Sequence, residues 1–134
     1  MNRTESPMAT KDFPAAFTGL RAILEPYGPE MEVIADTDVE YGLNTHWRRP
    51  KDGYPGYFGS VKLGKRYVSY YLMALYSFPE LVDDLAPELR KRMQGKSCFN
   101  FTAVDAELFS QLETLTRQGY EKLAVNGLLD NADG

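Results

Sequence analysis

The spacing of apolar residues changes along this chain, and each change predicts a different kind of element. From Phe13 to Tyr27 the apolar positions recur every three or four residues, which predicts an amphipathic helix ended by Gly28 and Pro29. Residues 31–47 favour extended chain, either as two short strands or as one bent strand. A loop rich in proline, glycine and charge follows over residues 48–56.

The strongest local pattern lies in residues 57–76, where two strand-like runs flank the dipeptide Gly64-Lys65. This pattern predicts a β-hairpin with a two-residue turn, in which Val61 faces Val68. One face of that hairpin would combine aromatic rings with polar groups. Its members are Phe58, Ser60, Lys62, Tyr67, Ser69 and Tyr71.

After Tyr76 the period lengthens again and predicts two short helical turns separated by Pro87. Residues 97–101 have the length and aromatic content of another strand, and a last helix opens at Thr102 or Asp105. Because helices and strands do not alternate regularly, a parallel doubly wound sheet is disfavoured. The order predicts an α+β domain with a mainly antiparallel sheet and a central hairpin, flanked by N-terminal and C-terminal helices.

Length and composition narrow the class of protein. A chain of 134 residues with 43% hydrophobic and 25% charged residues suits one globular domain. We expect this domain at residues 10–126, a disordered segment at 1–9 and a mobile one at 127–134. The net charge of −4 disfavours nucleic acid and anionic membranes as partners. The lack of a long apolar run and the single cysteine predict a cytoplasmic location.

The aromatic and polar face of the hairpin is the first candidate site. Aromatic walls with a few polar groups are typical of pockets for small ligands. The same composition also fits a face that packs under helices, or one that forms a homodimer contact. The sequence leaves these alternatives open.

Acidic residues form the second candidate site. Asp36, Asp38 and Glu40 occur at every second position, so a strand would point all three carboxylates to one side. Such a ridge would bind a hard cation such as iron or magnesium. The alternative is a charged turn on a solvated edge.

Cys98 is the third candidate, as a nucleophile that His46, the only histidine, would activate. A reactive thiol needs partial exposure and positive charge nearby, and Lys96 and the run 90–92 lie close in sequence. The alternative is a buried cysteine in a short strand. The chain contains no phosphate loop, dinucleotide fingerprint, zinc protease motif or nucleophile elbow.

Three consecutive segments, "YFGSVKLGKRYVSYYLMALY", "PELVDDLAPELRKRMQGKSCFNF" and "VDAELFSQLETLTRQG", resemble the YdhG-like family of small bacterial proteins over about residues 11–123. The resemblance implies an α+β fold in the bacterial cytosol. It also implies an iron-delivery role like that of frataxin, which has been attributed to one member. By residue type, Asp36, Asp38, Glu40 and the pair Asp83 and Asp84 are the carboxylates that such a role would use.

These observations favour a non-enzymatic module that binds a small molecule or a partner protein through the hairpin face. An iron chaperone that uses the acidic ridge is the first alternative. A thiol-dependent enzyme centred on Cys98 is the second. The motifs themselves predict no cofactor, and iron enters only with the first alternative.

Overall fold

A six-stranded antiparallel sheet organises the fold in the computed structural model, which describes residues 11–130. The predicted α+β class is confirmed. The segment expected to be disordered, residues 1–9, lies outside the described residues, as do residues 131–134. Near the end of the described residues, Leu129 lies against the sheet, because its carbonyl accepts a hydrogen bond from the His46 amide at 2.9 Å.

The elements follow one another in this order along the chain. The strands are β1 (Glu32–Asp36), β2 (Glu40–Arg48), β3 (Pro55–Leu63), β4 (Val68–Leu72), β5 (Met93–Gln94) and β6 (Cys98–Phe101). In the sheet they lie in the order β1-β2-β3-β4-β6-β5. The α-helices are α1 (Phe13–Leu24), α2 (Ala74–Ser77), α3 (Pro87–Arg90) and α4 (Ala106–Val125). Two short 3₁₀ helices span Glu25–Glu30 and Pro79–Val82.

Side-chain caps fix where the two long helices begin. Asp12 accepts a hydrogen bond from the Ala15 amide and starts α1, while Asp105 accepts one from the Leu108 amide and starts α4. Each cap satisfies an amide that the first helical turn leaves without a partner. Within residues 11–130, no helix is both long and apolar enough to cross a membrane.

Both long helices cover the same face of the sheet. A Cβ added at Gly59 in β3 would lie 3.4 Å from Leu24 of α1, and Tyr70 of β4 bonds to Thr116 of α4. Since α1 and α4 also contact each other, they lie side by side above β3 and β4. The shorter helices pack around them. In the described part of the chain, the helices are thus gathered on one side of the sheet.

The register of the hairpin differs from the prediction by two residues. Leu63 pairs with Val68 and Lys62 with Ser69, so the loop contains the four residues 64–67 instead of two. The Gly64 amide closes this loop by donating to the Tyr67 carbonyl at 2.9 Å. A slip of two residues leaves each side chain on its predicted face, because side chains alternate with a period of two.

Phe58 is an exception, because a β-bulge turns its side chain over. Leu43 of β2 pairs with Gly59 of β3, and the next residue of β2, Asn44, pairs with Tyr57. Phe58 lies between these two partners and is therefore the extra residue of the bulge. Its ring is completely buried, and its centroid lies 5.3 Å from that of Tyr27. The prediction that Phe58 shares a face with Ser60 is therefore wrong.

Candidate ligand-binding face of the sheet

The sheet face opposite the helices brings polar side chains of three strands into register, and we call it the tyrosine face. In one row across the strands, Ser60 pairs with Tyr71, and Tyr71 pairs with Cys98. In the next row, Lys62 pairs with Ser69, and Ser69 pairs with Asn100. Each row therefore crosses β3, β4 and β6 and spans about 10 Å.

Asn100 is the centre of the hydrogen bonds on the β6 side. Its Oδ1 accepts from the Ser69 hydroxyl at 2.7 Å and from the Cys98 thiol at 3.5 Å. The Nδ2 amide makes no hydrogen bond within residues 11–130. Since the side chain is half-buried, this amide is a donor available to a ligand on the face.

Tyr57, which precedes the bulge in β3, also lies on the tyrosine face. Its hydroxyl is hydrogen-bonded to the Ser60 hydroxyl, and Ser60 itself is only 2% exposed. Burial raises the pKa of the Tyr57 phenol, while the bond to Ser60 opposes that change. Tyr57 therefore presents a neutral phenol next to Tyr71.

Lys62 supplies positive charge beside an aromatic wall. Its Nζ lies 5.8 Å from the centroid of the Tyr71 ring and 3.9 Å from a carboxylate oxygen of Glu40. Burial and the nearby Cys98 raise the pKa of the Tyr71 phenol. This part of the face therefore combines the Tyr71 phenol with the Lys62 side chain, and both groups can donate hydrogen bonds.

Cys98 lies within the tyrosine face but is only 8% exposed. Burial is the largest influence on its thiol and raises the pKa, while the nearby hydroxyls of Tyr71 and Ser69 oppose that change. The cations expected to activate it are engaged elsewhere, since Lys96 lies over the ring of Tyr76 and Arg92 over that of Phe101. The thiol is therefore protonated at neutral pH.

The structure does not bring His46 to Cys98. His46 belongs to β2, which β3 and β4 separate from β6, so three strand spacings of about 4.8 Å place the two strands about 14 Å apart. The imidazole Nδ1 lies 3.5 Å from a carboxylate oxygen of Glu32 instead. The predicted dyad of cysteine and histidine is thus not assembled.

The acidic positions do not form one ridge. Asp36 ends β1 and Glu40 begins β2, with a turn at residues 37–39 between them, so the predicted alternation along one strand is wrong. Arg21 donates to Asp36 at 2.6 Å, and Asp38 lies exposed in the turn. Across residues 11–130, no three histidine, cysteine, aspartate or glutamate side chains are grouped so that they could hold a metal ion.

Of the six residues predicted for the hairpin face, four lie together on it: Ser60, Lys62, Ser69 and Tyr71. Tyr67 lies in the exposed loop beside it, and Phe58 belongs to the core. Sequence reasoning missed Tyr57 and Asn100. The alternation within residues 98–101 would have placed Cys98 and Asn100 on one face, but not beside Tyr71 and Ser69, because that pairing joins distant segments.

The tyrosine face is suited to reversible binding, since its hydroxyl, carboxamide and ammonium groups surround aromatic rings. Within the described residues it does not place a base next to a nucleophile. The resemblance to the YdhG-like family remains a prediction from the sequence. Comparison of this chain with protein-family models, with curated proteins and with solved structures gave no match.

Proposed function

We propose that this chain is a non-enzymatic binding module whose tyrosine face holds a small polar ligand. The observation that carries the proposal is the pair of rows across β3, β4 and β6, which gather polar side chains on the face without helices. The face also carries the Asn100 amide, whose Nδ2 makes no hydrogen bond within residues 11–130. Rows of this kind offer a ligand several contacts at fixed spacing.

The ligand class follows from the hydrogen-bonding groups on the face. The Asn100 amide and the Lys62 ammonium are donors, and the Tyr71 hydroxyl donates when it is neutral. A ligand that complements them carries acceptor oxygens, as carboxylates, carbonyl compounds and polyols do. The rings of Tyr57 and Tyr71 would contact its apolar part.

Reversible binding is favoured over catalysis by the state of the Cys98 thiol. A buried, protonated thiol about three strands away from the histidine lacks the activation that a nucleophile needs. The iron-chaperone alternative gains no support from Asp36 and Glu40, since Arg21 and Lys62 accompany these carboxylates. The proposal is therefore a binding role at the tyrosine face.

The test is a binding screen by NMR on the full ¹⁵N-labelled chain. Small carboxylates, amides and polyols are added at about 1 mM, a concentration that reveals millimolar affinities. The expected result is that bound compounds shift the amide signals of residues 57–62, 69–71 and 98–100. Binding without those shifts, or no binding across the screen, would contradict the proposal.

Matched variants sharpen the test. Lys62→Ala and Tyr71→Phe each remove one donor, and we expect each to weaken binding by about tenfold. Lys51→Ala and Tyr54→Phe make the same changes in the exposed loop before β3 and are expected to leave affinity unchanged. Sedimentation of the free chain tests the homodimer alternative, because a dimer closed through this face would exclude the ligand.

A further inference from the structure

A long groove runs along α4 on the side away from the tyrosine face. Three cavities of about 480, 300 and 460 Å³ lie between α4 and residues 80–92. The first two share Ala86 and Gln111 as lining residues, and the last two share Leu81, Asp84 and Gln118. They are therefore parts of one continuous surface, which we call the α4 groove.

One stripe of α4 forms a wall of this groove over the whole length of the helix. Its residues follow each other at intervals of three or four: Glu107, Gln111, Thr114, Gln118, Glu121 and Val125. A helix of 20 residues is about 30 Å long. A surface this long and open does not enclose a small molecule, but it matches the length of a helix of about 20 residues.

The other wall of the groove is partly apolar. Leu81, Leu85 and Ala86 line it and are each half-buried, so part of each side chain remains open to the groove. At the end of α4, Val125 is 85% exposed. Channels between helical segments accept the apolar stripe of another helix, as ridges fit into grooves in helix packing.

The excess of negative charge in the α4 groove favours a positively charged partner. Six carboxylates line the groove against three cations. Two of those cations already have acidic partners, since Lys91 lies 3.6 Å from Glu88 and Lys122 lies 3.3 Å from Glu80. The remaining exposed carboxylates, of Asp84, Glu107 and Glu121, form no ion pair within residues 11–130.

We propose that the α4 groove binds an amphipathic helix of a partner protein. The apolar stripe of that helix packs on Leu81, Leu85 and Ala86, and its lysine or arginine residues pair with Asp84, Glu107 and Glu121. Opposite charges in these positions guide association and fix the register of the helix. A second copy of this chain does not fit, since a symmetric contact would place one acidic groove against another. Nucleic acid is repelled by the same charge.

The test uses the full chain and a fluorescently labelled peptide of about 20 residues, in which leucine and lysine alternate with helical spacing. Fluorescence anisotropy measures its affinity, and a peptide of the same composition in scrambled order lacks the apolar stripe. The expected result is saturable binding of the striped peptide that is at least about tenfold tighter than that of the scrambled one.

Two triple variants with the same change in net charge locate the site. Asp84→Asn, Glu107→Gln and Glu121→Gln neutralise the groove, and we expect them to weaken binding by at least about tenfold. Asp38→Asn, Glu113→Gln and Asp130→Asn neutralise exposed carboxylates elsewhere and should change the affinity by less than about twofold. All six positions are exposed, and circular dichroism checks that both variants are folded.

Three outcomes would overturn the proposal. The first is an equal loss of affinity in both triple variants, which would mean that the peptide responds only to net charge. The second is equal binding of the scrambled peptide, and the third is no saturation up to about 1 mM peptide. NMR mapping on the unmodified chain adds a measurement that needs no variant, since the amide signals of Gln111, Thr114 and Gln118 should shift.

Discussion

The Tyr70 hydroxyl and the Thr116 hydroxyl are hydrogen-bonded at 2.7 Å, and both side chains are completely buried between β4 and α4. Each group has given up water on folding, so each depends on the other for its hydrogen bond. Burial also raises the pKa of the Tyr70 phenol well above its usual range. This pair therefore joins the sheet to the last helix by a contact that water cannot replace.

Removing one of these two hydroxyl groups should lower the free energy of unfolding more than removing both. We expect Tyr70→Phe to lower the free energy of unfolding by about 1–2 kcal/mol, because the Thr116 hydroxyl is then buried without a partner. Urea denaturation measures the change. Adding Thr116→Val, which has nearly the same shape without a hydroxyl, should recover part of the loss. A double variant less stable than Tyr70→Phe would contradict this account.

At the scale of elements, α4 comes very close to α2 at Gly119. A Cβ added there would lie 2.9 Å from the Cβ of Ala74 in α2, closer than two such atoms approach in real structures. Glycine in the middle of a helix normally costs about 1 kcal/mol relative to alanine. Here the absence of a side chain allows α2 and α4 to pack together.

Gly119→Ala is therefore expected to destabilise the protein although alanine favours helix. Since the gain in helix propensity is about 1 kcal/mol, steric displacement of α2 should leave a net loss of about 1–2 kcal/mol. Thermal unfolding of this variant measures the loss. Ser110→Ala, at an exposed position of the same helix, serves as the control and should change stability by less than about 0.5 kcal/mol. A Gly119→Ala variant that is more stable than the unmodified chain would show that α2 can shift away from α4 without a loss of stability.

The sequence predicts elements well where one segment decides the outcome. The apolar periodicity locates α1 and α4, and of the two starts considered for α4, Thr102 and Asp105, the structure uses Asp105. The two faces of the hairpin are also predictable, since alternation survives the slip from a loop of two residues to one of four. The bulge at Phe58 is not predictable from one segment, because it depends on how β2 pairs with β3. For the same reason, the row that joins Tyr71 to Cys98 appears only in the folded sheet.

At the scale of the whole molecule, the tyrosines make the stability of the fold depend on pH in alkaline solution. Six of them have a pKa raised above the usual value: Tyr27, Tyr41, Tyr57, Tyr70, Tyr71 and Tyr120. For Tyr120 the hydrogen bond to Glu30 is the largest cause, and for the other five it is burial. All six shifts therefore have the same sign, and their effects on stability add.

We expect the protein to lose stability as the solution becomes alkaline. The unfolded phenols ionise near pH 10, whereas the folded ones keep their protons to higher pH. Their contribution is thus complete below about pH 10 and is lost as the pH rises through the folded values. The urea midpoint should stay level from about pH 7 to about pH 9 and then fall. In Tyr70→Phe the urea midpoint should fall less steeply with pH. If the urea midpoint of the unmodified chain instead increased above about pH 10, this linkage would be refuted.

The position of α4 at the end of the described chain also has a consequence for biosynthesis. The strands β1 to β4 are complete once Leu72 has been translated, but Val125, which ends α4, follows about 50 residues later. At about 5–20 residues per second, this interval lasts about 3–10 s. During that time the side of β4 that carries Tyr70 lacks the helix that later buries it. We therefore expect the nascent chain to expose this apolar side of β4, a kind of surface that chaperones recognise, until α4 has been synthesised.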